Sequence, residues 1–373
     1  MNRGLLIKGG FILGLAALSL FAFYPPKDRL NLGLDLQGGI HLVLKVETQD
    51  AVRAETDKDM EIMRREVADG GVSSVATSRI SDTSFDVTGV PVEKDAVLNK
   101  AANDYLTSQR WDWSREGSRT VFTMTALNER AVRNLAVEQA KLTIDNRVNQ
   151  YGVAEPVIAR QGLEGDRIVV QLPGVDDPER VKRLIKSTAF LEFRLTEYPP
   201  AGGSGVATRD EILGRYGGRL PADIEIMAQD QRDDQGRILG QSFYAVQKRQ
   251  VITGRDLKSA NTTSGQFNQP VVAFHLNADG ARRFGDATGA NVGRGLAIIL
   301  DNRVVSAPVI NSRITDSGII EGNFTQQEVQ DLVTTLRSGA LPAGITYLED
   351  RTVGPSLGQD SIEASVKAGF LSM

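Results

Sequence analysis

The longest apolar stretch of the chain lies at its start, where Leu5 to Tyr24 carries a single charge, Lys8. About 20 residues rising roughly 1.5 Å each span about 30 Å, the thickness of a bilayer's hydrocarbon core. The stretch therefore predicts a transmembrane helix, and Gly10 and Gly14 within it form a GxxxG pair able to seat another helix. Arg3 and Lys8 on one flank against Lys27, Asp28 and Arg29 on the other favour a cytoplasmic N-terminus with the bulk exported. A cleaved signal peptide is the rival reading. The length of the run, and an exit at Leu20–Tyr24 without a small-x-small site, favour an uncleaved anchor.

After Pro26 the pattern is that of a water-soluble body. Leu36, Ile40, Leu42, Leu44 and Val46 share one side of a predicted strand over 36–47. A charged stretch over 50–69 follows, with Val52, Met60, Met63 and Val67 at helical spacing. Strands near 72–80 and 84–90 and a helix over 92–105 come next. A long helix over 128–151 places Val132, Leu135, Ala136, Ala140, Ile144 and Val148 on one face, with Gly152 as its cap. Strands at 154–160 and 167–172 lead to a helix that Asp177-Pro178 opens, facing Val181, Leu184 and Ile185 inward. A strand over 189–196 closes the series. The helix–strand–strand–helix order thus occurs twice, either as a duplicated ferredoxin-like unit or as chance recurrence of a common motif.

From Glu197 the texture changes. Pro199-Pro200-Ala201-Gly202-Gly203-Ser204-Gly205 reads as a linker, and 206–268, polar and weakly periodic, as loops and short elements. Strands are expected at 271–276, 295–300, 303–310 and 313–320, with a helix from Asn277. Thr325-Gln326-Gln327-Glu328 is a capping box, flanked by Phe324 and Val329 as a hydrophobic staple. Val329, Leu332, Val333 and Leu336 form that helix's buried stripe, Gly339 ends it and Pro342 forbids continuation. A last strand is expected over 345–353.

Composition narrows the function classes. A length of 373 residues suffices for two or three domains, and a net charge of −4 without a basic, aromatic-interleaved stretch argues against nucleic acid. The absence of cysteine excludes a disulfide scaffold or Cys-ligated zinc. The two histidines, His41 and His275, stand far apart in predicted strands, so no metal or other cofactor is expected. There is no GxxxxGK[ST] loop and no GxSxG elbow, and the Asp176-Asp177 pair is explained by helix capping. The chain is not expected to be an enzyme.

One motif stands apart from this plain composition: Gly33-Leu34-Asp35-Leu36-Gln37-Gly38-Gly39, immediately after the anchor. Taken by itself it is a glycine-rich strand entry with one carboxylate, or a contact between the soluble body and the membrane part. After an N-terminal anchor it resembles the opening motif of the SecD/SecF family, accessory subunits of the bacterial protein translocase. Further stretches are similar to that family in the same order: Arg147-Val148-Asn149-Gln150-Tyr151-Gly152-Val153-Ala154-Glu155-Pro156, Val170 to Val175, Ala297 to Asp301 with Ser306-Ala307-Pro308, Gly339-Ala340-Leu341-Pro342, and Thr352 to Gly358.

The resemblance implies an α+β fold: one N-terminal transmembrane helix, then a periplasmic base of ferredoxin-like units with an inserted head. The expected divisions are 1–29 for the anchor, 30–193 plus 343–353 for the base, 194–342 for the head and 354–373 for the start of a second transmembrane segment. Within the base, 50–125 looks like an extra ferredoxin-like module. Thr196, Pro199, Pro200, Gly339 and Pro342 are the hinge candidates, and residues 33–39 the membrane-proximal site. The implied role is capture of unfolded preprotein on the periplasmic side of the inner membrane. Its implied partners are a SecF-type subunit, the SecYEG translocon and a YajC-type subunit, with coupling to the proton motive force in the full-length protein. A related proton-driven exporter of small molecules or lipids, and a membrane-tethered periplasmic binding protein, are the alternatives.

Overall fold

The computed structural model describes residues 38–353 except 163–164, 189, 201–202, 222, 233–236, 266–267 and 323, and also residues 14, 34, 367 and 368. The anchor expected at Leu5–Tyr24 (apart from Gly14), the segment 354–373 (apart from 367 and 368) and Gly33, Asp35, Leu36 and Gln37 lie outside these residues. Among the described residues no helix is long and apolar enough to cross a membrane.

The first sheet is organised around β1 (Gly39–Val46), whose alternation is that of a strand with one face in the core. Ile40, Leu42, Leu44 and Val46 are all fully buried. β1 pairs antiparallel with β7 (Arg167–Pro173) on one side and with β16 (Ile345–Val353) on the other. β6 (Val157–Gln161) adds to β7, giving the order β16-β1-β7-β6. Two helices cover the buried face: α3 (Ala126–Tyr151) through Ala140, Ile144 and Val148, and α4 (Pro178–Lys186) through Val181 and Ile185. Asp177 accepts from the Arg180 amide as the N-cap of α4, and Gly152 ends α3 in the left-handed conformation. Leu135, expected on the inner face of α3, is 58% exposed. It sits about 100° round the helix from Ala136, outside the stripe formed by 136, 140, 144 and 148.

Between β1 and α3 the chain builds a second sheet. α1 (Thr48–Asp69) precedes β2 (Ala76–Ser81) and β3 (Ser84–Thr88); α2 (Asp95–Ala101) precedes β4 (Trp111–Glu116) and β5 (Arg119–Met124). Its core stacks Phe85 on Phe122 with ring centroids 5.0 Å apart, Trp111 meeting Phe85 edge-on. Asp59 of α1 is almost fully buried there and accepts from Trp111 Nε1 at 2.9 Å and Arg110 at 2.6 Å. The sheet runs in the order β2-β3-β5-β4, antiparallel throughout. The helix–hairpin–helix succession does recur, but this sheet is completed by its own β4–β5 hairpin and not by a distant strand. That hairpin went unforeseen because Trp111 and Trp113 are the sole aromatic marks of β4.

The remaining chain forms a closed barrel, β10-β8-β13-β14-β9, and a three-stranded sheet, β11-β12-β15. Here the expectation of loops over 206–268 is overturned. β9 (Ile224–Arg232), the 16-residue β10 (Ile238–Thr253) and β11 (Leu257–Ser264) are regular strands, and α5 (Arg209–Arg215) precedes them. β10 pairs with β9 along one part and β8 (Leu191–Tyr198) along another, with register shifts at 245–246, 246–250 and 250–252. Each shift resets the two-residue period, so alternation is hidden in the sequence. β12 (Pro270–Leu276), α6 (Ala278–Ala290), β13 (Leu296–Leu300), β14 (Arg303–Ser306), β15 (Ser317–Ile320) and α7 (Gln326–Ser338) follow. α7 begins with the foreseen capping box, Thr325 and Glu328 satisfying each other's backbone N–H.

β8 is buried on both faces. Leu191, Phe193 and Leu195 enter a core with Phe274, Phe284 and the α7 stripe. Its alternate residues Glu192 and Arg194 lie opposite Ile299 and Ala297, beside the apolar barrel cluster of Met227, Tyr244 and Val246. Glu192 is fully buried and accepts from Arg194 at 2.6 Å and from Gln250. Burial raises its pKa above the ordinary 4.5, against the pull of Arg194. The folded state therefore holds this proton at a pH where the unfolded chain has lost it, so stability falls as the pH rises from 4.5 through the raised value. Glu192→Gln should abolish that part of the slope in thermal unfolding followed from acid to neutral pH; an unchanged slope would place the buried charge elsewhere.

Candidate functional site

Among the described residues the chain passes from the first sheet to the barrel between α4 and β8, and returns between α7 and β16. The two passages are stitched together: Leu341 N–H donates to Thr188 O at 2.9 Å. What holds them is an arginine where the pattern of α3 calls for an apolar residue. Arg147 stands three residues after Ile144 and is 1% exposed. Its guanidinium donates to Leu184 O at 2.8 Å, Ile185 O at 3.1 Å and Ser187 O, the last carbonyls of α4 and its exit. It also donates to Gly339 O at 3.1 Å and Ser338 Oγ at 3.2 Å, at the end of α7. Helix C-termini leave carbonyls without intrahelical partners and carry negative partial charge, so one buried cation here serves two helix ends. Burial lowers its pKa to about 10, with Asp301 drawing it back up, and the group stays charged at neutral pH.

Asp301 acts on the same passage from the barrel side. Asp301 and Asn302 both have positive φ, 48° and 63°, in the tight turn between β13 and β14. The carboxylate accepts from Ser187 Oγ at 3.1 Å, from Thr188 Oγ1 and from Phe190 N–H at 3.0 Å. Asp301 N–H donates to Phe190 O at 3.1 Å in return. A third tie joins the helices themselves: Arg180 of α4 pairs with Asp331 of α7 at 2.7 Å and lies 5.1 Å from the centroid of the Tyr151 ring. Burial raises the Asp331 carboxyl and Arg180 opposes the rise.

Two clefts flank this crossover. One, of about 890 Å3, is walled by the end of α3, Gly174, α4, α7 and the outer strand β11. The other, of about 840 Å3, lies between α4, α7 and the barrel, with Leu239, Leu300, Val305 and Phe324 among its apolar walls. No cluster of potential metal ligands occurs among the described residues.

The candidates chosen from sequence fall in three places. Gly339, with φ of 90°, and Pro342 lie in the return passage, Gly339 in direct contact with Arg147. Thr196, Pro199 and Pro200 do not: Thr196 is buried in β8, its N–H bonded to Gly295 O at 2.9 Å, and the two prolines follow that strand. The Gly33–Gly39 motif is described only at Leu34, Gly38 and Gly39. Gly38 N–H donates to Leu34 O at 2.9 Å, and its carbonyl accepts from Gly174 at 3.0 Å. Gly39 has φ of +137°, and a Cβ there would stand 2.1 Å from Leu172 O, so the close approach of β7 requires glycine. The contacts of His41 are those of a strand side chain; its Nδ1 lies 3.2 Å from Gln171 Nε2. Arg147 and Asp301 were not singled out from the sequence. The signals were there: a charge on the apolar stripe of α3, and an Asp-Asn pair between two apolar runs.

Three family models match the chain: the SecD/SecF GG motif over 26–50, the N-terminal part of the SecDF P1 domain over 137–198 and the SecDF P1 head subdomain over 225–343. The protein translocase subunit SecD of Koribacter versatilis is 39% identical over 92% of this chain and 63% of its own length. That of Calditerrivibrio nitroreducens is 36% identical over 97% of this chain and 69% of its own. The chain belongs to the SecD family. It spans about two thirds of the length of these relatives. A crystal structure of SecDF in its super-membrane-facing form matches 98% of this SecD-family chain and 37% of that one, at 27% identity and a TM-score of 0.49.

Within this SecD-family chain, removing the buried cation should cost about 3–5 kcal/mol, because several carbonyls lose their donor at once. Arg147→Met is expected to lower the unfolding midpoint and to speed hydrogen exchange at the Leu341 amide. A variant as stable and as protected as the parent would mean that the crossover does not depend on Arg147.

Proposed function

We propose that this chain is an accessory component of Sec-dependent protein export that binds unfolded preprotein emerging beyond the inner membrane and hinders its return. Family membership supports the pathway. The crossover carries the mechanical part of the reading: two short passages, bonded to each other and clamped by Arg147 and Asp301, join the first sheet to the barrel. Clefts of about 890 and 840 Å3 lie on either side, in the space a relative movement would open or close.

In this reading the base comprises the sheet β16-β1-β7-β6 with α3 and α4, a β-α-β-β-α-β succession of ferredoxin-like kind once the inserted α1–β5 module is set aside. The head is the barrel, the sheet β11-β12-β15 and their helices, and the hinge residues are 187–190 with Gly339 to Pro342. Leu5–Tyr24 anchors the body in the bacterial inner membrane, N-terminus inside. Residues 33–39, with Asp35 among them, couple the base to membrane helices. A SecF-type subunit, the SecYEG translocon and a YajC-type subunit are the expected partners, and proton flow drives the head in the complete assembly. The role is one of binding and movement, without catalysis.

Photo-crosslinking tests the binding. An arrested secretory intermediate should label probes in the head, including one at Leu239, which is 73% exposed at the rim of the apolar cleft. Labelling confined to the first sheet and its helices would overturn this assignment. Movement is tested separately, since the chain has no cysteine of its own. Arg180→Cys with Asp331→Cys, joined by a short bis-maleimide, should slow translocation in the complete protein relative to the unlinked pair; equal rates would remove the hinge. Asp35→Asn should impair export without changing the melting of the soluble body, and a matching loss of stability would reduce the motif to a structural role.

A further inference from the structure

β11 is the outer strand of the sheet β11-β12-β15, and its Asn261 and Thr262 line the cleft of about 890 Å3. It runs antiparallel to β12, with Ala260 opposite Phe274, Thr262 opposite Val272 and Ser264 opposite Pro270. In such a ladder the N–H and C=O of one residue point to the same side, and the side alternates along the strand. Two observed bonds fix the phase. Gly265 N–H donates to Gln269 O at 2.8 Å, so residue 265 faces β12, and with it 263 and 261. Ala260 O instead receives Arg337 Nε of α7 at 2.6 Å, on the side away from β12. Thr262 and Ser264 therefore present their backbone donors and acceptors outward, and both residues are exposed.

The free edge has a defined beginning. Arg337 covers Ala260 O and also holds Asn261 Oδ1, so the first open rung is Thr262. Asn261 and Thr262 line the cleft together with Gln150, Asp176, Gln330 and Thr334, and its exposed surface is mostly polar, with Val153, Val175 and Val333 also in its walls. Such a site recognises main chain and exerts little selection on side chains. The occupant that fits is an extended polypeptide, whose own N–H and C=O groups recur at the spacing of the rungs, about 6.6–6.8 Å for every second residue.

We propose that an unfolded polypeptide segment docks as an added strand on the Thr262–Ser264 edge, entering at Thr262 from the cleft between α3, α4, α7 and β11. The proposal rests on the export reading above and gives its binding step a location and a mode. Recognition through backbone accounts for how one surface serves chains of unrelated sequence.

The test uses the 373-residue chain in detergent and a reduced, carboxymethylated polypeptide as probe, with binding followed by fluorescence anisotropy. Thr262→Pro removes the outward N–H and puts the ring in the path of the incoming strand, while the bonds to β12, made by residues 261 and 263, remain. It should weaken binding by about tenfold or more, the loss of a rung and its neighbour's contact. Thr262→Ala keeps the backbone and should bind within about twofold of the parent. Hydrogen exchange adds a readout independent of folding of the variants: the Thr262 and Ser264 amides of the parent should become protected by the probe. Unprotected amides, or an alanine variant as weak as the proline one, would overturn strand addition. If the probe binds while Thr262→Pro is without effect, this inference falls and the export reading stands. If the parent binds no unfolded polypeptide at all, the export reading falls with it.

Discussion

A buried positive charge holds the two halves of this chain in register. Among the described residues the hydrogen-bond partners of Arg147 are carbonyls and one hydroxyl, from α4, the outgoing passage and α7, with no carboxylate. Burying an ion without an opposing ion is expensive unless its donors are satisfied. The arrangement meets that condition by gathering the unsatisfied ends of two helices round one guanidinium. The stability of each helix end is thus tied to the other's position. A displacement of α7 relative to α4 strips donors from carbonyls and partners from a cation in the same step, which favours discrete arrangements over gradual sliding.

Around this centre the fold divides the work of cohesion by distance in sequence. The inserted module is closed by local hairpins and an aromatic stack, and its buried Asp59 is answered by Arg110 and Trp111. The first sheet depends on pairings that span most of the chain. Tyr347 of β16 ties that sheet to α4 through its hydroxyl, which donates to Lys182 O at 2.7 Å. Burial, then Asp350 and Glu179, push that phenol up to about 12, so it keeps its proton throughout the physiological range.

The sequence was legible where one physical signal dominated. Alternation placed β1 with its four buried residues, and the capping box and the Asp177-Pro178 entry placed α7 and α4. Gly152 and Gly339 marked helix ends because their backbone conformations are closed to most other residues. It was illegible where tertiary pairing overrides local pattern. β10 changes partner along its length and shifts register against β8 three times and against β9 once, so its period cannot be read from residues alone. The site was half visible. Gly339 and Pro342 announced the return passage by composition, whereas Thr196, Pro199 and Pro200 advertised a break that belongs to the end of β8. Arg147 looked like one more charge on a long helix, and its importance depends on carbonyls 37 to 192 residues away in sequence.

The pairing of β1 with β16 dictates an order of assembly. Gly39 lies opposite Val353, so the strand that is made first acquires its last neighbour only when nearly the whole described chain exists. The barrel and the inserted module need no such wait, because their strands meet within their own stretches of sequence. Loop closure over so long a span is slow compared with local pairing. A nascent chain therefore presents β1 with one edge open while the later elements are already folded, and the arrival of residues 345–353 seals it. The completed ladder also sets Gly39 and Val353, more than three hundred residues apart in sequence, side by side on adjacent strands at one corner of the sheet.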